Sequence, residues 1–273
     1  MTASTRQRLT TKHYLELIGV RDLPPLICPF DPGYDPVSLE GHLDQSAHLI
    51  ASLKISMACW LVADEKVTRR KIAAAQAHRV TTVTGGGPFE IALAQGQLNA
   101  YLDLCADVGV TRIECGEGFT TLSRTPREIV AAAHGRGLGV QYEMGKKHEG
   151  AFTVDSLDAG IARAHEWLDA GALEVVVEAR EVARGVGMFN DDGELNREFA
   201  ERIAREFGLE IATFEAPNKP SQFALLDHFG PTVRLSNVRL EEVLRVEIYR
   251  RGLHSDAFAR ANLRPAAPHQ IAS

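Results

Sequence analysis

The chain reads as an α/β protein built as a single (β/α)8 barrel, and three observations predict this. Runs of β-forming residues alternate with helix-periodic segments about eight times from near Pro25 onward. Helix-like segments close repeatedly on glycine, at Gly109, Gly137, Gly171 and Gly208. A charged phrase also recurs after strands: Glu143-Met144-Gly145-Lys146-Lys147, Glu178-Ala179-Arg180-Glu181 and Glu215-Ala216-Pro217-Asn218-Lys219. A single such cluster is ordinary, whereas three in succession indicate strand ends that deliver carboxylates and cations to one point.

In order, strands are expected at residues 26–30, 49–56, 80–84, 112–115, 140–143, 173–178, 211–214 and 233–237. The run Leu173-Glu174-Val175-Val176-Val177 is rich in β-branched residues, as in a parallel strand covered by helices. Helices are expected at 64–79, 91–108, 154–170, 196–207 and 240–251. Thr125-Pro126-Arg127-Glu128 opens a further one, with Thr at the N-cap, Pro in the first turn and Glu at the capping-box position. Gly85-Gly86-Gly87-Pro88 after the third strand reads as a tight turn or a phosphate cradle, and Gly185-Val186-Gly187 after the sixth is similar, with Arg184 adjacent. A doubly wound open sheet is the competing fold, disfavoured because no GxGxxG turn follows the first strand. The expected organisation is an N-terminal extension at 1–20, one barrel at 21–258 and a C-terminal tail at 259–273.

Composition narrows the function classes. The chain has 273 residues, within the range of one barrel, and no apolar run long enough to span a bilayer. Acidic residues outnumber basic ones, 36 to 30, so the charge of −6 gives no bulk attraction to nucleic acid. The N-terminus lacks a secretory apolar stretch, and a cytoplasmic, non-membrane protein is expected. Cys28, Cys59, Cys105 and Cys115 form no CxxC pair and the histidines no HExxH motif, which argues against a zinc site of either kind.

In such a barrel the site forms at the C-terminal strand ends, where the candidates are Asp31, Lys54, Glu114, Glu117, Glu143, Lys147, Glu178, Arg180, Glu215, Lys219, Arg234 and Asn237. Alternation places Glu143 with Lys147, Glu178 with Arg180, and Glu215 with Lys219 on shared faces. Each pair alone reads as an ion pair tying a loop to the rim. Together, the carboxylates suit a divalent cation such as Mg²⁺ and the cations suit a phosphorylated substrate.

These stretches, with Gly85-Gly86-Gly87-Pro88-Phe89-Glu90 and Arg250-Arg251-Gly252-Leu253, resemble the phosphosulfolactate synthase family of coenzyme M biosynthesis from about Pro24 to Phe258. The resemblance implies a (β/α)8 barrel, Mg²⁺, a homo-oligomer, a trimer by the family likeness, and small anionic substrates, phosphoenolpyruvate and sulfite. It also implies a catalytic lysine after the fifth strand; between Lys146 and Lys147, strand parity favours Lys147. On this reading Glu143 acts beside Lys147, and Glu143, Glu178 and Glu215 are metal or supporting carboxylates. Lys54, Arg180, Arg184, Lys219, Arg234, Asn237 and His254 bind substrate.

The chain departs from the family pattern at Ser56-Met57-Ala58-Cys59-Trp60, Gly116-Glu117-Gly118, Glu181-Val182-Ala183, Arg234 and His254, with a cation gained at Arg234 and one weakened at His254. These changes are expected in loops that grip the anions. Two other readings are a Schiff-base lyase that uses Lys147 as nucleophile, and a non-catalytic barrel serving as a stress or regulatory partner.

Overall fold

The computed structural model describes residues 9–55 and 57–265. Residues 1–8 and 266–273 of the extension and tail, and Ser56 of the altered segment, lie outside the described residues. Eight parallel strands close a barrel in sequence order: β1 Ile27–Asp31, β2 Ser52–Ile55, β3 Thr81–Thr84, β4 Arg112–Gly116, β5 Gly139–Met144, β6 Val175–Val177, β7 Ala212–Glu215 and β8 Arg234–Arg239. All eight fall on expected strands. Each is followed by helical structure that covers the sheet.

The helices are α1 Thr11–Leu17, α2 Pro36–Ser46, α3 Cys59–Val62, α4 Glu65–Ala77, α5 Gly86–Ala94 and α6 Leu98–Val108, then α7 Pro126–His134, α8 Val154–Ala170, α9 Arg197–Phe207, α10 Lys219–Phe229, α11 Val243–Arg250 and α12 Ser255–Phe258. The helix expected at 91–108 is two, interrupted at Gly96, and the first begins inside the glycine run. Gly85-Gly86-Gly87-Pro88 is therefore a helix start: Gly85 is the N-cap, and Pro88 sits in the first turn, where its missing N–H costs no helical bond. The helices at 36–46 and 219–229 were not expected, although each has its cap in the sequence. Asp35 accepts from the Val37 and Ser38 N–H groups, and Asn218 forms a capping box with Ser221.

Packing follows the 3.6-residue period. In α8, Leu157, Ile161, Ala164 and Trp167 form the buried stripe, and Trp167 stacks on Tyr142 of β5 with ring centroids 5.2 Å apart. Removing that indole would cost on the order of 3–5 kcal/mol. Thr153 caps the helix N-terminus, and Gly171, at φ +110°, ends it in a conformation that Cβ-bearing residues avoid. The chain after α12 packs back on the barrel, with Leu263 buried and the Asn262 amide donating to the Asp227 carbonyl.

The inside of the barrel is unusually polar. Interiors of this fold are normally layered with branched apolar side chains, yet here the N-terminal end holds an ion cluster. Glu174, just before β6, accepts from Arg112 at 2.5 Å and from Arg234 at 2.7 Å, and Arg234 also donates to Thr213. This corrects the expectation for Arg234. It is the first residue of β8, and at about 3.3 Å per residue the strand carries it roughly 10 Å below Asn237, at the end opposite the expected site. The gained cation belongs to the barrel floor and not to an anion-gripping loop.

Candidate active site

Strand alternation sends one set of carboxylates inward along the C-terminal half of the barrel. Glu114 of β4 pairs in register with Gln141 of β5, and Gly116 with Glu143, so Gln141 and Glu143 stack along one inner face. Glu178 follows β6 directly and Glu215 ends β7. Carboxylate oxygens of Glu143, Glu178 and Glu215 lie within 4.8 Å of one another, and all three residues are buried. Such a donor set suits a hard divalent cation, which prefers oxygen ligands.

Two lysines thread this cluster. Lys147 places its ammonium 3.0 Å from Glu143 Oε2 and 2.5 Å from Glu178 Oε2. Deeper in the barrel, Lys54 of β2 lies 2.8 Å from Glu114 Oε2 and 3.3 Å from Glu215 Oε1. Glu114 is further held by the Gly86 N–H at 3.0 Å and the Gln141 amide at 2.8 Å. Four carboxylates thus face two ammonium groups, and two negative charges remain uncompensated. Either two protons or one divalent cation would balance them.

The acid–base properties follow from that imbalance. Burial, reinforced by the Glu178 charge, pushes Glu143 up to about 8, and the same two causes raise Glu215 well above its ordinary range. Burial also acts to raise Glu178, but the Lys147 charge and hydrogen bonds from Lys147, Glu215 and the Arg180 N–H outweigh it, and its carboxyl is lowered. Burial opposes the charge on both lysines. For Lys147 the surrounding Glu143, Glu178 and Glu215 prevail, for Lys54 Glu114, Glu215 and Glu143 prevail, and both ammonium groups are held more strongly protonated than in water.

Local backbone shape completes the rim. Arg180 and Asn237 adopt φ of +56° and +52°, a conformation that costs a Cβ-bearing residue energy. What offsets it at Arg180 is its N–H, which donates to Glu178 Oε1 at 2.6 Å and Glu215 Oε2 at 3.1 Å; the Ala179 N–H adds a bond to Glu215 at 2.8 Å. The Asn237 amide donates to Glu215 Oε1. Gly145 lets β5 pass close to β6, since a Cβ there would lie 2.7 Å from Glu178 Cβ.

The expected site residues separate into two groups. Lys54, Glu143, Lys147, Glu178, Glu215 and Asn237 meet directly, and Arg180 stands at their edge with its guanidinium on the Lys147 carbonyl at 3.1 Å. Lys146 points instead to the Glu117 carbonyl at 2.6 Å. Lys219 does not share a face with Glu215: it is the first residue of α10, and its ammonium turns over the Phe223 ring and lies 3.6 Å from Asp256. His254 caps α12, accepting from the Asp256 N–H, and packs edge-on against Phe223 in the helical layer. Arg184 is exposed beside Gly193 and makes no ion pair with the site carboxylates among the described residues. Arg234 lies on the floor.

Gln141, the Gly86 N–H and Glu90 were not assigned roles from sequence, although period-two spacing from Glu143 marks Gln141 as inward-facing; Glu114, one of the strand-end candidates, meets Lys54 inside the barrel. Comparisons with known proteins point to one family. Residues 27–256 match the family described as (2R)-phospho-3-sulfolactate synthase (ComA). The chain belongs to this family. Membership makes it an enzyme of the carbon–sulfur lyase and synthase class.

The phosphosulfolactate synthase of Methanocaldococcus jannaschii is 30% identical over 231 residues, which cover 84% of this chain and 92% of the relative. That of Methanothermobacter thermautotrophicus is 24% identical over 234 residues, covering 85% and 91%. Among solved structures, 3-dehydroquinate dehydratase from Geobacillus kaustophilus superposes with a TM-score of 0.52 at 12% identity, over 83% of this chain and 91% of that one. This last likeness is one of fold alone.

Proposed function

We propose that this enzyme adds sulfite to phosphoenolpyruvate with the assistance of Mg²⁺, forming phosphosulfolactate as a step toward coenzyme M or a related sulfonate. The observation that carries the reading is the buried trio Glu143, Glu178 and Glu215 with Lys147 threaded between its members, at the barrel mouth of a family member.

In the proposed reaction the sulfite sulfur attacks the methylene carbon of phosphoenolpyruvate. The π-electron pair moves toward the carboxylate as an enediolate, and a proton is delivered to the carbon bearing the phosphate ester. Glu143, Glu178 and Glu215 are the residues that would hold Mg²⁺, which when bound supplies positive charge against the carboxylate as it accepts that electron pair. Lys147 is a protonated group with room to reach substrate, its side chain being 23% exposed, and it supplies the proton. Lys54, more deeply buried, pairs with Glu114 and Glu215 and adds positive potential beneath the substrate. Arg180 and Asn237 line the entrance, where an anionic ester would sit.

The Schiff-base alternative fits less well. An imine-forming lysine needs a neutral amine, and Lys147 is held as an ammonium by two carboxylates. Among the described residues no helix is long and apolar enough to cross a membrane, in keeping with a cytoplasmic enzyme. A homo-oligomer, a trimer by resemblance, is proposed as the working state. In support, α11 leaves Leu244 and Ile248 exposed one turn apart.

The test is direct. Purified protein given phosphoenolpyruvate, sulfite and Mg²⁺ should consume the enol absorbance and yield a sulfonate adduct by mass spectrometry. Enol loss that proceeds equally without sulfite, or no adduct at any Mg²⁺ concentration, would remove this reaction from consideration.

A further inference from the structure

Glu90 is a carboxylate buried to 0% exposure on α5, and the reaction above leaves it unused. All four of its hydrogen bonds come from the loop after β4. One oxygen accepts from the Gly118 N–H at 3.0 Å; the other accepts from the Phe119 N–H at 3.0 Å, the Thr120 N–H at 2.9 Å and the Thr120 hydroxyl at 2.9 Å. Among the described residues no lysine or arginine forms an ion pair with it. The anion is held by three consecutive peptide N–H groups, which fixes the loop residue by residue.

The other side of this loop faces the site lysines. The Glu117 carbonyl accepts from the Lys146 ammonium at 2.6 Å, and the Gly118 carbonyl from the Lys147 N–H at 2.9 Å. Gly118 also forms the wall against which the Lys147 stem lies. A Cβ at Gly118 would fall 2.9 Å from both Cγ and Cε of Lys147, and 3.2 Å from Glu90 Oε1. Glu90, Gly118 and the Lys147 stem are therefore stacked in contact, and that stack ends at the ammonium between Glu143 and Glu178.

We infer that Glu90 is a positioning residue for Lys147, acting through Gly118. It does not touch substrate. Its anion sets the height of the loop after β4, and the loop sets where the lysine stem runs. The inference rests on Lys147 being the proton donor for its catalytic consequence, but the placement is measurable without that reading. In Glu90→Gln one acceptor oxygen becomes a donor amide facing peptide N–H groups, and the loop must move to recover acceptors.

The experiment is acetylation of the intact enzyme by acetic anhydride at one fixed pH, mapped by peptide mass spectrometry. Lys66, exposed on α4 away from this loop, is the internal reference. In E90Q and in G118A the Lys147 rate is expected to rise at least about threefold relative to Lys66, with kcat falling roughly 10- to 100-fold and KM changing far less, as misplacement by about an ångström does. Should E90Q not fold, Thr120→Val, which removes the hydroxyl donor alone, takes its place beside G118A. A Lys147-to-Lys66 ratio unchanged in these variants overturns the inference, whatever the activity. A raised ratio with unchanged kcat upholds the positioning and instead refutes Lys147 as proton donor.

Discussion

Replacing Lys147 with methionine keeps the stem and removes the charge that stands 3.0 Å from Glu143 and 2.5 Å from Glu178. Unit charges about 3 Å apart attract by roughly 5 kcal/mol at an effective dielectric near 20. Desolvation of the ions consumes part of this, and deleting one partner of a buried pair costs on the order of 3–5 kcal/mol. The partial exposure of Lys147 places it at the lower end, about 3 kcal/mol. The sign is fixed by the direction of its shift: a lysine raised on folding contributes fully below its unfolded value and loses that contribution only as pH rises through the folded one, so the whole effect is present near neutrality. For a chain of this size that loss lowers Tm by roughly 5 °C. Loss of a general acid should lower kcat by a further about 10²- to 10⁴-fold. Differential scanning fluorimetry and steady-state assays measure the two effects separately. A K147M enzyme that retains kcat within roughly threefold of the parent would refute proton donation by this residue.

Two further outcomes follow from the charge distribution. Glu143 is raised to about 8, so the folded state holds its proton between the unfolded carboxyl range and that value; metal-free protein should lose stability as pH rises through this window, and Glu143→Gln should flatten the loss in pH-dependent melting curves. Stabilisation by added Mg²⁺ should grow across the same window, because the ion displaces the proton. On the floor, Arg234→Ala leaves Glu174 with Arg112 as its remaining ion-pair partner among the described residues, and should cost about 1–3 kcal/mol in denaturant unfolding while Mg²⁺ affinity at the mouth stays unchanged.

What could be read from the chain depended on whether the signal was local. The helix 154–170 is legible to the residue, because its cap at Thr153 and its left-handed stop at Gly171 are both sequence signals. The barrel was legible for a similar reason, since the strand and helix rhythm repeats. Lys219 was misplaced because Asn218-Lys219-Pro220 is itself a helix start, so strand alternation had already ended before Lys219. Arg234 was misplaced even though its position near the start of the expected strand 233–237 already put it at the N-terminal end of a parallel barrel strand; it stands opposite Thr213, near the start of β7. Glu90 was invisible as a functional residue because its partners are peptide N–H groups of a loop 28 to 30 positions away, which carry no side-chain signature.

The buried trio at the mouth is proposed to be one metal and substrate site. Calorimetric titration of Mg²⁺ into the protein, with and without phosphoenolpyruvate, tests it most directly. A single site is expected, one that tightens when phosphoenolpyruvate is present and weakens at least about tenfold in Glu178→Gln and in Glu215→Gln variants that remain folded. Binding that is identical in those variants, or indifferent to phosphoenolpyruvate, would contradict it.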